Sequence, residues 1–128
     1  MSVNKEISVL IIDDYQTMRG VIRNLLQQFG FHNTLETGTT DEAAAMLQKN
    51  ECGLIIFDWL TGPASGADFV QSLRNDDRLS KIPLIVICAE TNREVADAMR
   101  QAGVADFMAK PFTEAMLKKK MTTVLGDF

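Results

Sequence analysis

The stretch Ser8-Val9-Leu10-Ile11-Ile12-Asp13-Asp14 decides the fold, because it is a hydrophobic run that stops at two carboxylates. Two other hydrophobic runs also stop at a charged residue: Asp58 follows residues 54–57, and Lys110 follows residues 107–109. Runs that are hydrophobic throughout are typical of parallel strands buried on both faces. If these runs are neighbouring strands, three carboxylates and one ammonium meet at one edge of a sheet. Folding does not require such crowding of like charges, so we interpret it as a functional site.

The rest of the chain alternates between strand and helix patterns. The predicted strands are residues 7–12, 34–37, 53–57, 84–88 and 105–109. Apolar residues at helical spacing follow each strand. Four of the predicted helices begin near residues 15, 40, 94 and 113, and Phe69, Val70 and Leu73 mark the third helix after a loop over residues 61–66. Five strands alternating with five helices predict an α/β fold, in which helices cover both faces of a five-stranded parallel sheet.

Composition narrows the class of protein. A chain of 128 residues with 46% hydrophobic content predicts one domain over residues 1–128. Thirteen basic against 17 acidic residues, without a basic run that could follow a phosphate backbone, argue against a nucleic-acid partner. Lys118, Lys119 and Lys120 form the one basic cluster, which we place in the last turns of a helix. Favourable interaction with the helix dipole explains it better than the alternative, a partner-binding patch.

The chain shows no signal peptide and no apolar stretch near the roughly 18 residues that a membrane span needs, so we expect a cytoplasmic protein without a membrane partner. Cys52 and Cys88 are far apart and stand beside hydrophobic runs, which favours reduced thiols. His32 is the only histidine and lies in a predicted surface turn, which argues against histidine-based triad chemistry.

The charged residues at the strand ends suit a metal and phosphate chemistry. Magnesium prefers oxygen ligands, and Asp13 and Asp14 are the better pair for holding it. Asp58, alone at its strand end, is the natural nucleophile toward phosphorus, with metal and Lys110 neutralising the transferred group. Taken singly, each aspartate could cap a turn and Lys110 could be a surface lysine. Their joint occurrence favours function.

These motifs resemble the receiver domain of two-component response regulators. The resemblance covers essentially the whole chain and is closest to the chemotaxis regulators of the CheY type. It is carried by four motifs and three further stretches: Asp13-Asp14, Asp58-Trp59, Ala89-Glu90, Lys110-Pro111-Phe112, and residues 13–19, 23–26 and 101–103.

The resemblance implies the strand order 2-1-3-4-5, which periodicity does not give. It also implies that Asp58 accepts a phosphoryl group from the phosphohistidine of a histidine kinase. Asp14, Asp58 and the Leu60 carbonyl would bind Mg²⁺, Asp13 would act through metal-bound water, Lys110 would pair with phosphoryl oxygens, and the Lys110-Pro111 bond would be cis.

Output is expected as protein contact through the fourth helix, fifth strand and fifth helix, with Glu90, Phe107 and Pro111 on the switching surface. The flagellar motor switch is one such target, and a monomer is expected. The chain departs from the family at Leu60, where a polar residue is frequent, in Thr61-Gly62-Pro63, where the proline stands one place later, and at two switching positions. Cys88 replaces the usual threonine or serine, and as a weak hydrogen-bond donor it would couple phosphorylation to movement less well. Phe107 replaces a frequent tyrosine and lacks its hydroxyl.

Alternatives remain at this stage. Cys88 could be a tolerated small buried residue or a redox switch. The whole chain could be a binding module that works without phosphorylation. A phosphatase or phosphotransferase with an aspartyl nucleophile is disfavoured, because such enzymes usually need a second acid and a cap. We therefore expect no catalysis on external substrates, only the protein's own phosphoryl transfer and dephosphorylation.

Overall fold

A computed structural model describes residues 3–61, 66–89, 92–104 and 106–128. The elements alternate along the chain as β1(Val9–Ile12), α1(Gln16–Gln28), β2(Thr34–Thr37), α2(Thr40–Lys49), β3(Leu54–Asp58), α3(Gly66–Arg74), β4(Leu84–Cys88), α4(Arg93–Gln101), β5(Met108–Ala109) and α5(Glu114–Leu125). The strands are parallel and form one sheet in the order β2-β1-β3-β4-β5. The predicted fold and strand order are confirmed.

Two hydrophobic layers hold the helices to the sheet, because successive side chains of a strand point to opposite faces. Val9 and Ile11 face a cluster with α1 and α5, in which Leu26 and Leu117 are buried. Leu10 and Ile12 face the cluster formed with α2, α3 and α4. The central strands β1 and β3 are therefore buried on both faces, as their continuous hydrophobic runs predict.

Side-chain caps fix where three of the helices begin. The Thr39 hydroxyl accepts a hydrogen bond from a backbone N–H in the first turn of α2, and Asn92 and Thr113 do the same for α4 and α5. Such caps satisfy a backbone donor that has no partner within the helix. They explain why α4 begins at Arg93, one residue before the predicted start.

The fifth strand is much shorter than predicted. Residue 105 lies outside the described residues, Asp106 and Phe107 are not in a strand, and β5 pairs with β4 only at Met108 and Ala109. An edge strand has a neighbour on one side only, so fewer hydrogen bonds hold it in extended form. β1 is also shorter, beginning at Val9 rather than Ile7.

The explanation of the lysine cluster by the helix dipole is wrong. Lys118, Lys119 and Lys120 lie in the middle of α5, whose last turn contains no basic residue. Lys118 instead stands 5.4 Å from the Phe128 ring centroid, and Lys120 pairs with Asp106.

Three further residues have the burial that the sequence predicted. Cys52 is half-buried and Cys88 is buried, both as thiols. His32 is exposed. Within the described ranges, no helix has the length and apolar character needed to cross a membrane.

Candidate functional site

The acidic residues meet at the carboxyl edge of the sheet because β1 and β3 are adjacent and in register. Ile12 pairs with Phe57, so the next residues, Asp13 and Asp58, lie side by side. Both are nearly inaccessible, at 1% and 4% exposure, whereas Asp14 is exposed. Carboxylate oxygens of these three residues all lie within 4.8 Å of one another.

Lys110 joins this cluster from the far end of the sequence. Its Nζ donates hydrogen bonds to Asp58 Oδ2 at 2.6 Å and to Asp13 Oδ2 at 2.9 Å. The lysine follows β5, and its backbone N–H donates to the Cys88 carbonyl at 3.1 Å, which extends the β4–β5 ladder by one bond. The Lys110-Pro111 peptide bond is cis, as predicted. The structure thus brings together the four charged residues that the sequence singled out.

Each buried carboxylate also caps a turn with its second oxygen. Asp13 Oδ1 accepts from the Tyr15 N–H at 2.9 Å, and Asp58 Oδ1 accepts from the Leu60 N–H at 3.0 Å. Turn capping by these aspartates is therefore confirmed, and it leaves the second oxygen of each carboxylate available for the predicted function. One oxygen of each carboxylate fixes the backbone, and the other faces Lys110.

Burial and charge pairing act against each other on the ionisable groups. Burial raises the pKa of Asp13, and the Tyr15 N–H and the Lys110 ammonium only partly offset it. Burial alone would lower the pKa of Lys110, but its hydrogen bonds to Asp58 and Asp13 outweigh burial and leave that pKa raised. Lys110 is accordingly a cation at neutral pH, placed between two carboxylates.

The donor set fits a hard divalent cation. Three carboxylates offer oxygen atoms close enough to share one ion, and no thiolate or imidazole is among them. Mg²⁺ binds through carboxylate oxygens and keeps several of its water molecules. Asp14 is exposed, so its side of the cluster leaves room for these waters.

The predicted switching residues are more scattered. Cys88 ends β4 and is fully buried. Phe107 is half-buried and packs against the cluster on the α2, α3 and α4 side of the sheet. Pro111 is exposed, and so is the Leu60 side chain, at 45%. Glu90 lies outside the described residues.

Sequence reasoning missed two residues that touch the site. The Tyr15 ring centroid lies 5.9 Å from Lys110 Nζ, within the range of a cation–π contact. Arg19 Nη1 donates to the Asp13 carbonyl oxygen at 2.6 Å. A usable signal existed for Arg19. It stands one helical turn after Tyr15, on the side of α1 that returns toward the end of β1.

Known proteins of similar sequence are receivers and chemotaxis proteins. Residues 9–122 match the family described as the response regulator receiver domain. The chemotaxis protein CheY-3 of Vibrio cholerae is 38% identical over 122 residues, covering 95% of this chain and 94% of that protein. The chemotaxis protein CheY of Pseudomonas aeruginosa is 36% identical over 116 residues, covering 91% and 94%.

Solved structures agree on the fold. The chemotaxis response regulator CheY4 of Vibrio cholerae superposes with a TM-score of 0.84 at 27% identity, covering 94% of this chain and 99% of that one. The receiver domain of a Pseudomonas aeruginosa sensor histidine kinase, solved with a magnesium ion coordinated in its active site cleft, gives a TM-score of 0.85 at 20% identity. That match covers 95% of this chain and 99% of the other.

Proposed function

The chain belongs to the response regulator receiver domain family and is of the CheY type. From that premise we propose that Asp58 accepts a phosphoryl group from the phosphohistidine of a histidine kinase, in a Mg²⁺-dependent reaction. The observation that carries the proposal is the pairing of the buried Asp58 carboxylate with Lys110 at 2.6 Å, inside a cluster of three carboxylates.

The two oxygens of Asp58 have different surroundings, which favours one of them as the nucleophile. Oδ1 is engaged by the Leu60 N–H, whereas Oδ2 faces the ammonium. Oδ2 would attack phosphorus while the bond from phosphorus to the donor's imidazole nitrogen breaks, which leaves an acyl phosphate on Asp58. Lys110, already beside Oδ2, would then neutralise an oxygen of the transferred group.

The remaining residues of the site would hold the metal. We assign this role to Asp13, Asp14, Asp58 and the backbone carbonyl of Leu60. Bound Mg²⁺ would neutralise negative charge on the transferred group. Asp13 is also tied to the Tyr15 N–H and Lys110, so its carboxylate is oriented before any ion arrives.

Intact-mass spectrometry tests the proposal directly. The protein is incubated with Mg²⁺ and acetyl phosphate, and a gain of one phosphoryl group is expected. Asp58→Asn, which keeps the size of the side chain, should show no gain. Asp77→Asn, at an exposed loop position, should behave like the unchanged protein. A gain that persists in Asp58→Asn would contradict the assignment.

We further propose that the output is contact with a downstream protein, in chemotaxis or motility, through the surface formed by α4, β5 and α5. Next to this surface, a groove between β4, β5 and α5 is lined by Leu84, Phe107 and Val124 and by the ion-paired Asp106 and Lys120. The flagellar motor switch is one candidate partner. One domain over residues 1–128, a monomer, and a cytoplasmic location belong to the same proposal.

A second candidate function is a binding module that works without phosphorylation. It is favoured by Cys88, because a buried sulfur at the end of β4 is a weak hydrogen-bond donor toward a phosphoryl oxygen. Partner capture with phosphorylated, unphosphorylated and Asp58→Asn protein separates the two. Equal affinity in all three favours the binding module, and a change on phosphorylation favours the relay.

A further inference from the structure

The Arg19 side chain reaches back from the first turn of α1 to the end of β1. Its Nη1 donates to the carbonyl oxygen of Asp13 at 2.6 Å, and the side chain is 18% exposed. That carbonyl belongs to the peptide linking Asp13 to Asp14, so a guanidinium directly holds the backbone between two proposed metal ligands.

The guanidinium lies in a slot that a glycine leaves open. A Cβ added at Gly38 would lie 3.2 Å from Arg19 Nη1 and 3.8 Å from the Asp13 carbonyl oxygen. On the other side, Glu36 Oε1 lies 3.6 Å from Arg19 Nε. This Nε is buried and has no hydrogen-bond partner among the described residues, so packing and charge, in addition to the Nη1 bond, keep the group in place.

We propose that Arg19 is a positioning residue for the Mg²⁺ site. By fixing the Asp13–Asp14 peptide, it directs the Asp14 carboxylate toward those of Asp13 and Asp58. Asp14 is the exposed member of the three, so the direction of its side chain depends on the peptide that carries it. The inference rests on the proposed function, because it assumes that these carboxylates bind Mg²⁺.

Charge alone predicts the opposite effect, which makes the proposal testable. Arg19 is a cation near three carboxylates, so removing it should strengthen Mg²⁺ binding if it acted only through its charge. Loss of a group that orients a metal ligand weakens binding instead, typically by about 10-fold to 100-fold. The sign of the change in affinity therefore separates the two roles.

Arg23 provides a matched control on the same helix. Its Nη1 pairs with the same carboxylate, Glu36 Oε2, at 2.8 Å, and its side chain is 40% exposed. Its described hydrogen bond goes to Glu36 and not to the turn after β1. Arg23→Gln thus removes the same charge and an ion pair with the same glutamate but leaves the Asp13 carbonyl bond intact.

The experiment is a Mg²⁺ titration of metal-free protein in which binding is monitored by tryptophan fluorescence. Trp59 is the only tryptophan of the sequence and is adjacent to Asp58. Arg19→Gln should raise the dissociation constant for Mg²⁺ about tenfold, and Arg23→Gln should leave it unchanged or slightly lower. With acetyl phosphate as donor, Arg19→Gln should need correspondingly more Mg²⁺ for half-maximal phosphorylation of Asp58. Its rate at saturating Mg²⁺ should match that of the unchanged protein.

Gly38→Ala keeps both arginines and their charges. It should also weaken Mg²⁺ binding, because the added methyl would lie 3.2 Å from Arg19 Nη1 and push the guanidinium off its position over the Asp13 carbonyl by a few tenths of an ångström. Urea unfolding first shows whether Arg19→Gln is folded in the absence of metal. If it is not, Gly38→Ala replaces it as the test variant. If Arg19→Gln folds and binds Mg²⁺ as tightly as Arg23→Gln does, the positioning role of Arg19 is overturned. If Arg19→Gln does not fold, normal Mg²⁺ affinity in Gly38→Ala overturns it. Neither result would contradict the proposed function. Failure of the unchanged protein to bind Mg²⁺ would overturn the proposed function, and the positioning role with it.

Discussion

Replacing Lys110 with methionine should lower the free energy of unfolding by about 4 kcal/mol at pH 7 without divalent cations. Methionine has a similar length but no charge, so the substitution leaves Asp13 and Asp58 facing each other without the ammonium between them. All three side chains are largely buried, at 12%, 1% and 5% exposure, which makes the behaviour of a buried pair the relevant comparison.

Two estimates of this loss agree. Removing one partner of a buried ion pair costs about 3–5 kcal/mol. The carboxylates can also relieve their repulsion by binding a proton, which limits the loss. The ordinary pKa of Asp13 is 3.8, roughly three units below pH 7, and each unit corresponds to about 1.4 kcal/mol, which gives a ceiling of about 4 kcal/mol.

The same ceiling predicts how the loss depends on pH. Burial already raises the pKa of Asp13, and without the ammonium that partly offsets it this folded-state pKa should rise further above its unfolded value, so the variant regains stability as the pH falls. At pH 5 the loss should shrink to about 2 kcal/mol. In the unchanged protein the pKa of Lys110 is raised, so its contribution is complete below the ordinary value of 10.5 and is lost only at higher pH.

Urea unfolding in the presence of a chelator, monitored by Trp59 fluorescence, measures the loss of unfolding free energy at pH 7 and at pH 5. Lys119→Met, at an exposed position of α5, should cost less than about 1 kcal/mol at either pH. A loss below about 1 kcal/mol for Lys110→Met at pH 7, or an equal loss at both pH values, would refute the reasoning.

Two further predictions concern stability and thiol reactivity. Gly66→Ala should destabilise the protein by about 1–3 kcal/mol in urea unfolding, because its Cβ would lie 2.8 Å from the Trp59 carbonyl oxygen. Gly20→Ala, inside α1 with 3.4 Å to its nearest neighbour, should instead stabilise it by about 0.5–1 kcal/mol, and a matching loss in both variants would contradict the packing argument. Burial raises the pKa of Cys52, so peptide mapping should show slower iodoacetamide labelling at pH 8 in folded than in unfolded protein. Labelling as fast in the folded protein as in urea would contradict the raised pKa of Cys52. The stabilisation linked to this thiol is complete below its ordinary pKa of 9.0 and is lost as the pH rises through the raised value.

Much of the fold could be predicted because its signals are local. The continuous apolar runs of β1, β3 and β4 and the helical spacing after each strand identify an α/β protein without any tertiary information. β5 was overpredicted because an apolar pattern does not report how many hydrogen bonds an edge strand makes. The lysines of α5 were misassigned for a different reason: the helix ends at Leu125, five residues after Lys120, and the helix dipole acts mainly within the last turn.

The sequence by itself determined that carboxylates and a lysine follow the strands, because the end of a hydrophobic run and the chemistry of the next side chain both depend only on neighbouring residues. It did not determine that Lys110 would lie within 2.9 Å of Asp13, 97 residues away, because that distance depends on the order and register of the sheet. The order 2-1-3-4-5 entered only through resemblance to a family. Helical spacing could indicate that Arg19 faces the end of β1, but only the tertiary structure decided its bond to the Asp13 carbonyl. That bond requires the slot over Gly38, which forms when the ends of β1 and β2 are packed together.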